Sequence, residues 1–116
     1  MSAAWLRQQA DAKDELADRI QREAAQLPDL LEGVAARMGP DVWRGPAAEG
    51  FAADVRRWRS RLDAEADLLL AVSRRLRLRA EQLRQEARRL ELAEALAEQR
   101  REEALREAAH RMLIDR

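Results

Sequence analysis

From Phe51 to Arg116 the chain contains neither glycine nor proline. These are the two residues that most readily interrupt a helix, so nothing inside this stretch tells a helix to stop. At about 1.5 Å per residue it can form a rod of roughly 100 Å. Within it Val55, Leu62, Leu69, Leu76, Leu83, Leu90 and Ala97 recur every seven residues. That interval keeps one apolar stripe on one side of a helix, the pattern of helices packed at coiled-coil angles. A second stripe begins with Phe51, Trp58 and Val72 and drifts to Ala80 and Ala87.

Every glycine and proline lies between Pro28 and Gly50. Upstream of the glycine- and proline-rich turn, residues 2–38 carry the same seven-residue repeat. Ala3, Ala10, Ala17, Ala24, Leu31 and Met38 fall on one seam, and Leu6, Ile20, Leu27 and Val34 on the other, interrupted by Lys13. The small alanine seam lets a partner backbone come close. Ser2 is a candidate N-cap. Pro28 removes one N–H and crowds the preceding turn; because both seams keep their phase across it, a kink in one continuous helix is expected rather than a stop and restart.

Composition agrees with helices and against sheets. Ala, Leu, Arg, Glu and Gln dominate, aromatic residues make up 3%, and β-branched residues are scarce. The expected fold is all-α: an antiparallel helical hairpin with a long second helix, dimerising into a four-helix bundle. Residues 1–84 form the hairpin, with its turn at 39–50, and residues 85–116 a charged C-terminal extension or tail. Pairing residues 2–38 with roughly 47–84 leaves the extension without an intramolecular partner, so it is expected to fray or to order on a partner.

A two-helix layer has one thin core. The run Leu68-Leu69-Leu70-Ala71-Val72 is apolar all round its helix, and Leu16 and Leu30 lie off the main seams. A second buried face, and hence a dimer, follows. The residues expected to pack between helices and across the dimer are Leu6, Leu16, Ile20, Leu27, Leu31, Val34, Val55, Trp58, Leu62, Leu69, Val72, Leu76 and Leu83.

Charge excludes more than it identifies. Basic and acidic residues tie at 22 each, so no global field draws the chain to nucleic acid or lipid. The tie hides a split: residues 1–50 carry 6 basic and 9 acidic side chains, a net −3, and residues 51–116 a net +3. That split suits an acidic first helix against a basic second one. No apolar run approaches the ~20 residues of a membrane span, and no cleavable secretory signal peptide is expected at the N-terminus.

Catalytic chemistry finds no credible set of residues. There is no cysteine and a single histidine, His110, which excludes disulfides, thiol nucleophiles and cysteine-based zinc sites. Glu107 and His110 have the Glu-x-x-His spacing of di-iron bundles but sit among charges near the chain end, where an exposed histidine is the simpler reading. The chain is read as a non-enzyme with no cofactor and no metal.

Between the helices stands Trp43-Arg44-Gly45, followed by Pro46-Ala47-Ala48-Glu49-Gly50-Phe51. Gly45 supplies backbone freedom for the reversal, Pro46 suits a first helical turn, and Trp43 can cap the open end of a bundle with a large apolar area. A Trp-x-Gly in the turn of a helical hairpin, with an aromatic six residues after the glycine, resembles the WXG-motif family of small type VII (ESX) secretion proteins over about residues 3–85. The Ala- and Arg-rich composition also looks actinobacterial, where such systems abound.

The resemblance implies homo- or heterodimeric four-helix bundles that travel folded without a cleaved signal peptide. It implies a partner or export-recognition role for the turn at Trp43 and Gly45, and a core aromatic role for Phe51. Partners would be the chain itself or a sibling WXG-like protein, with the secretion ATPase or a larger toxin substrate as further candidates. Localisation would be secreted through a type VII system, or cytoplasmic before export. The chain has no tyrosine and so lacks the family's Tyr-based tail signal; the implied role is a dimeric substrate or a co-secreted partner whose mate carries that signal, or a chaperone-like relative serving a larger substrate. The alternative reading is a cytoplasmic coiled-coil adaptor or nucleic-acid binder. It would use Arg74, Arg75, Arg77 and Arg79 as a basic contact face, in a helix with no asparagine to read bases.

Overall fold

Ser2 starts the first helix. Its backbone is extended (φ −88°, ψ 156°), and its hydroxyl accepts the Trp5 N–H at 3.1 Å, which satisfies one of the N-terminal donors a helix leaves unpaired. Helix α1 then runs Ala3–Gln26, α2 runs Asp29–Arg37, and α3 runs Pro46–Ile114. A computed structural model describes residues 1–37 and 44–115, the side chains of residues 34 and 35 excepted. The expected turn at Trp43 and the expected packing of Val34 therefore lie outside the described residues. Among the described residues every regular element is helical.

The 69 residues of α3 set the shape of the molecule, 107 × 16 × 15 Å. At about 1.5 Å per residue that one helix accounts for nearly the whole length. It continues through Ile114, across most of the stretch expected to fray or to order on a partner. The reason is local: strong helix formers throughout, and ion pairs Glu98–Arg101 at 2.8 Å and Glu107–Arg111 at 3.5 Å along its surface.

Pro28 acts otherwise than expected. The helix stops and restarts instead of kinking: α1 ends at Gln26 and α2 begins at Asp29. Leu27 keeps helical angles (φ −58°, ψ −46°), but the bonds around it shorten to i→i−3. The Leu27 N–H donates to the Ala24 carbonyl and the Leu30 N–H to the Leu27 carbonyl, both at 3.3 Å. A missing N–H and a crowded ring cost more in a continuous α ladder than in this tighter turn. Two phased seams were not enough to hold the ladder together.

Helix α1 lies antiparallel along the middle of α3. Writing the heptad with Ala10, Ala17 and Ala24 at a places Leu6, Ile20 and Leu27 at d. On α3 the a positions are Ala66, Ser73, Ala80 and Ala87, and the d positions are Leu62, Leu69, Leu76, Leu83 and Leu90. The a positions of both helices are buried, with Ala10, Ala17, Ala80 and Ala87 at 0% exposure. Small side chains at a on both sides let the backbones approach, and Leu6 and Leu83 complete the core cluster with Ala10, Ala80 and Ala87. The second seam of α3 is thus Ala66-Ser73-Ala80-Ala87, not the series opened by Phe51, Trp58 and Val72. The packed section reaches Leu90 and Glu91, about two helical turns past residue 84.

Candidate functional site

Reversing one helix against another brings e positions beside e and g positions beside g. The two margins of the α1–α3 layer are therefore chemically independent, and here they differ sharply. On the e side Arg7 forks onto Glu91, with both carboxylate oxygens 2.9 Å from one guanidinium nitrogen. Arg84 reaches Asp11 at 2.9 Å and Asp14 at 2.6 Å. Arg77 bonds Asp18 at 2.8 Å and Gln21 at 2.6 Å. The side-chain hydrogen bond to Asp11, then that to Asp14, holds the Arg84 guanidinium above its ordinary value; its charge is fixed at any working pH.

The opposite margin is open, with apolar side chains standing among charged ones. At its g and neighbouring c positions stand Trp5 and Leu16 from α1, and Trp58, Leu68 and Val72 from α3. Their exposures run from 41% for Val72 to 67% for Leu68. A shallow groove on this side is lined by Trp5, Leu6, Gln9, Arg79, Leu83 and Glu86, which confirms that Gln9, Arg79 and Glu86 at g share one margin. Phe51 is half-buried and meets Trp58, one heptad on, edge to face, with ring centroids 6.1 Å apart at 86°. Such a pair contributes about 0.5–1.5 kcal/mol beyond its burial, so the margin carries a paired aromatic corner at the start of α3.

The residues expected to pack divide between these two environments. Leu6, Val55 and Leu83 are buried. Ile20, Leu27, Leu31, Leu62, Leu69 and Leu76 are half-buried at the interface. Leu16, Trp58 and Val72 are exposed on the open margin of the single chain. Gly45, the described half of the Trp-x-Gly motif, sits at the N-cap of α3 with φ 111° and ψ −177°, a backbone state open essentially to glycine alone. The proposed basic face is dispersed: Arg77 is bound into the e margin, Arg79 lies on the g margin, and Arg74 and Arg75 are exposed at b and c.

Sequence reasoning missed Ala66 and Ser73. The signal was there, since both fall seven residues apart in phase with Ala80 and Ala87, but it was hidden by weighting large side chains over small ones. Among the described residues no cluster of three or more ionisable or thiol side chains could hold a metal ion, and His110 is exposed. No described helix is long and apolar enough to cross a membrane. No protein family, curated protein or solved structure matches the chain.

Proposed function

We propose that this chain is a non-catalytic, WXG-like component of a type VII secretion system, working by binding a second helical layer to form a four-helix bundle. The observation that supports this reading is the asymmetry of the α1–α3 layer. One margin is closed by ion pairs; the other leaves Trp5, Leu16, Trp58, Leu68 and Val72 exposed at intervals along its length. Apolar side chains spaced along a margin and interspersed with charged ones, Glu23, Glu65 and Arg79 among them, have the mixed chemistry of a protein-docking surface. Large aromatics at its corner are the side chains that most often carry binding energy. The Trp43-Arg44-Gly45 sequence supplies the link to export, with Trp43 and Gly45 as the turn read by the secretion machinery.

Val72→Glu with Leu16→Glu tests the binding half of this reading. The parent chain, alone or co-expressed with a sibling protein, is expected to cover this margin with a second layer and shield Trp5 and Trp58 from an aqueous quencher, and the double variant to stay helical with both rings accessible. Equal quenching of parent and variant overturns the docking surface. Trp43→Ala tests the export half: it is expected to leave the bundle intact and to abolish secretion, whereas equal export of variant and parent removes the role given to Trp43.

A further inference from the structure

Beyond Glu91 the long helix has no neighbour among the described residues: every described residue from Glu91 to Asp115 is exposed, including Leu105 at 71% and Met112 at 74%. The face that α3 turns toward α1 does not end there. In the same heptad the a positions continue as Glu94, Arg101 and Ala108, and the d positions as Ala97, Ala104 and Arg111. This series is not apolar throughout, and its charges are ordered. Glu94 opens it and Arg111 closes it.

We propose that this free segment of α3 pairs antiparallel with the same segment of a second copy of the chain. With Ala97 set against Ala108 of the second copy, Glu94 meets Arg111 of the second copy, and Arg101 lies over Ala104 of the second copy. Each contact occurs twice about a two-fold axis near residues 102–103. The flanks agree. Interhelix pairs such as Arg84–Asp11 and Arg77–Asp18 lie slightly toward the chain ends of their layer, because helical side chains lean toward their own N-terminus. The same lean brings Arg100 to Glu107 of the second copy on the g margin and Leu105 to Leu105 of the second copy on the e margin.

Charge selects this arrangement over its neighbours. A parallel, in-register pair stacks Glu94, Arg101 and Arg111 each on its own equivalent. Sliding the antiparallel pair one heptad toward α1 sets Arg100 on Arg100 of the second copy and drives Arg111 against Ala87, which α1 already covers. Sliding it one heptad outward sets Arg101 on Arg111 and Glu107 on Glu107. Like charges facing across an interface oppose association and fix register. The present Glu107–Arg111 pair is 3.5 Å long and highly exposed, so little is lost when its members find new partners. This pairing is separate from docking on the open margin of the α1–α3 layer and does not depend on it.

The chain has no cysteine, so introduced thiols report position without interference. In the full-length protein A97C/A108C is expected to form an intermolecular disulfide dimer on mild oxidation, and A97C or A108C alone much less. The two thiols of one chain are about 16 Å apart along the helix and cannot close on each other. Adding Glu94→Arg is expected to cut the dimer yield at least several-fold, and adding Arg111→Glu as well to restore it. No dimer from the double-cysteine protein overturns the pairing. Equal yields from the single-cysteine proteins overturn it too, as does a yield indifferent to the charge swaps.

Discussion

The Ser73 hydroxyl donates across the helix interface to the main-chain carbonyl of Ala17, 3.0 Å away, from a buried position. A serine inside a helix ordinarily turns back on its own preceding turn. Here the alanine seams bring the two backbones near enough for the hydroxyl to cross. The bond thus measures how close α1 and α3 approach at the middle of their contact.

Two substitutions at residue 73 separate the bond from the spacing. Ser73→Ala removes one hydroxyl but orphans nothing, since an interior helical carbonyl such as that of Ala17 already has a donor four residues on. The expected cost is at most about 1 kcal/mol. Ser73→Leu forces the backbones apart along the whole seam, and overpacking of this kind costs about 1–3 kcal/mol. Urea unfolding followed by circular dichroism should place the alanine variant near the parent and the leucine variant well below it. The reverse order would show that the bond, not the spacing, governs the contact.

Leu6 and Leu83 are the large side chains of the core cluster, 2% and 5% exposed. Replacing either with alanine is expected to cost about 2–3 kcal/mol, at the low end of the usual range because a two-helix layer relaxes around a cavity. Leu105, at 71% exposure, should cost no more than about 0.5 kcal/mol in the isolated chain. Hydrogen exchange supplies the check: Leu6→Ala is expected to expose α1 amides while those of residues 95–112 change little. Equal loss of protection in both regions contradicts this division.

How much of this could be read from the sequence depends on which force acts. The absence of glycine and proline after Gly50 made the long helix legible, and the seven-residue spacing located Leu6, Val55 and Leu83 in the interior. Ser73 and Ala66 were hidden because burial there comes from being small, which hydrophobic counting does not weigh. The axial position of α1 was hidden too. Heptads repeat, so a register and its neighbour seven residues away satisfy the same pattern, and charges such as Arg7 and Glu91 must break the tie. The restart after Pro28 was a contest between helix phase and a missing N–H, and periodicity cannot weigh the two.

Arg7 and Glu91 supply the third test, because their pair reverses the general polarity of an acidic α1 against a basic stretch of α3. Both side chains are 41–49% exposed, so the pair contributes less than about 1 kcal/mol. Its weight lies in register. Arg7→Glu and Glu91→Arg alone should each lower stability slightly, and more at low salt than at high. The double swap should recover most of the loss. A double-mutant cycle in urea that returns no coupling would mean that α1 does not extend to Glu91.

Gly45 and Gly33 should respond in opposite directions to the same substitution. A Cβ placed on either meets nothing within 4 Å, so sterics with the rest of the protein cancel and only the backbone decides. Gly33 lies inside α2, where alanine restricts the unfolded chain without straining the folded one. Gly33→Ala is expected to stabilise by about 0.5–1 kcal/mol. Gly45 holds φ 111° and ψ −177° just before Pro46 begins α3, and an L side chain in that region costs about 1–3 kcal/mol. Circular dichroism melts should therefore rise for Gly33→Ala and fall for Gly45→Ala. If Gly45→Ala melts no lower than the parent, that conformation is not what sets α3 on its course, and the glycine of the Trp-x-Gly sequence must be there for something other than the turn.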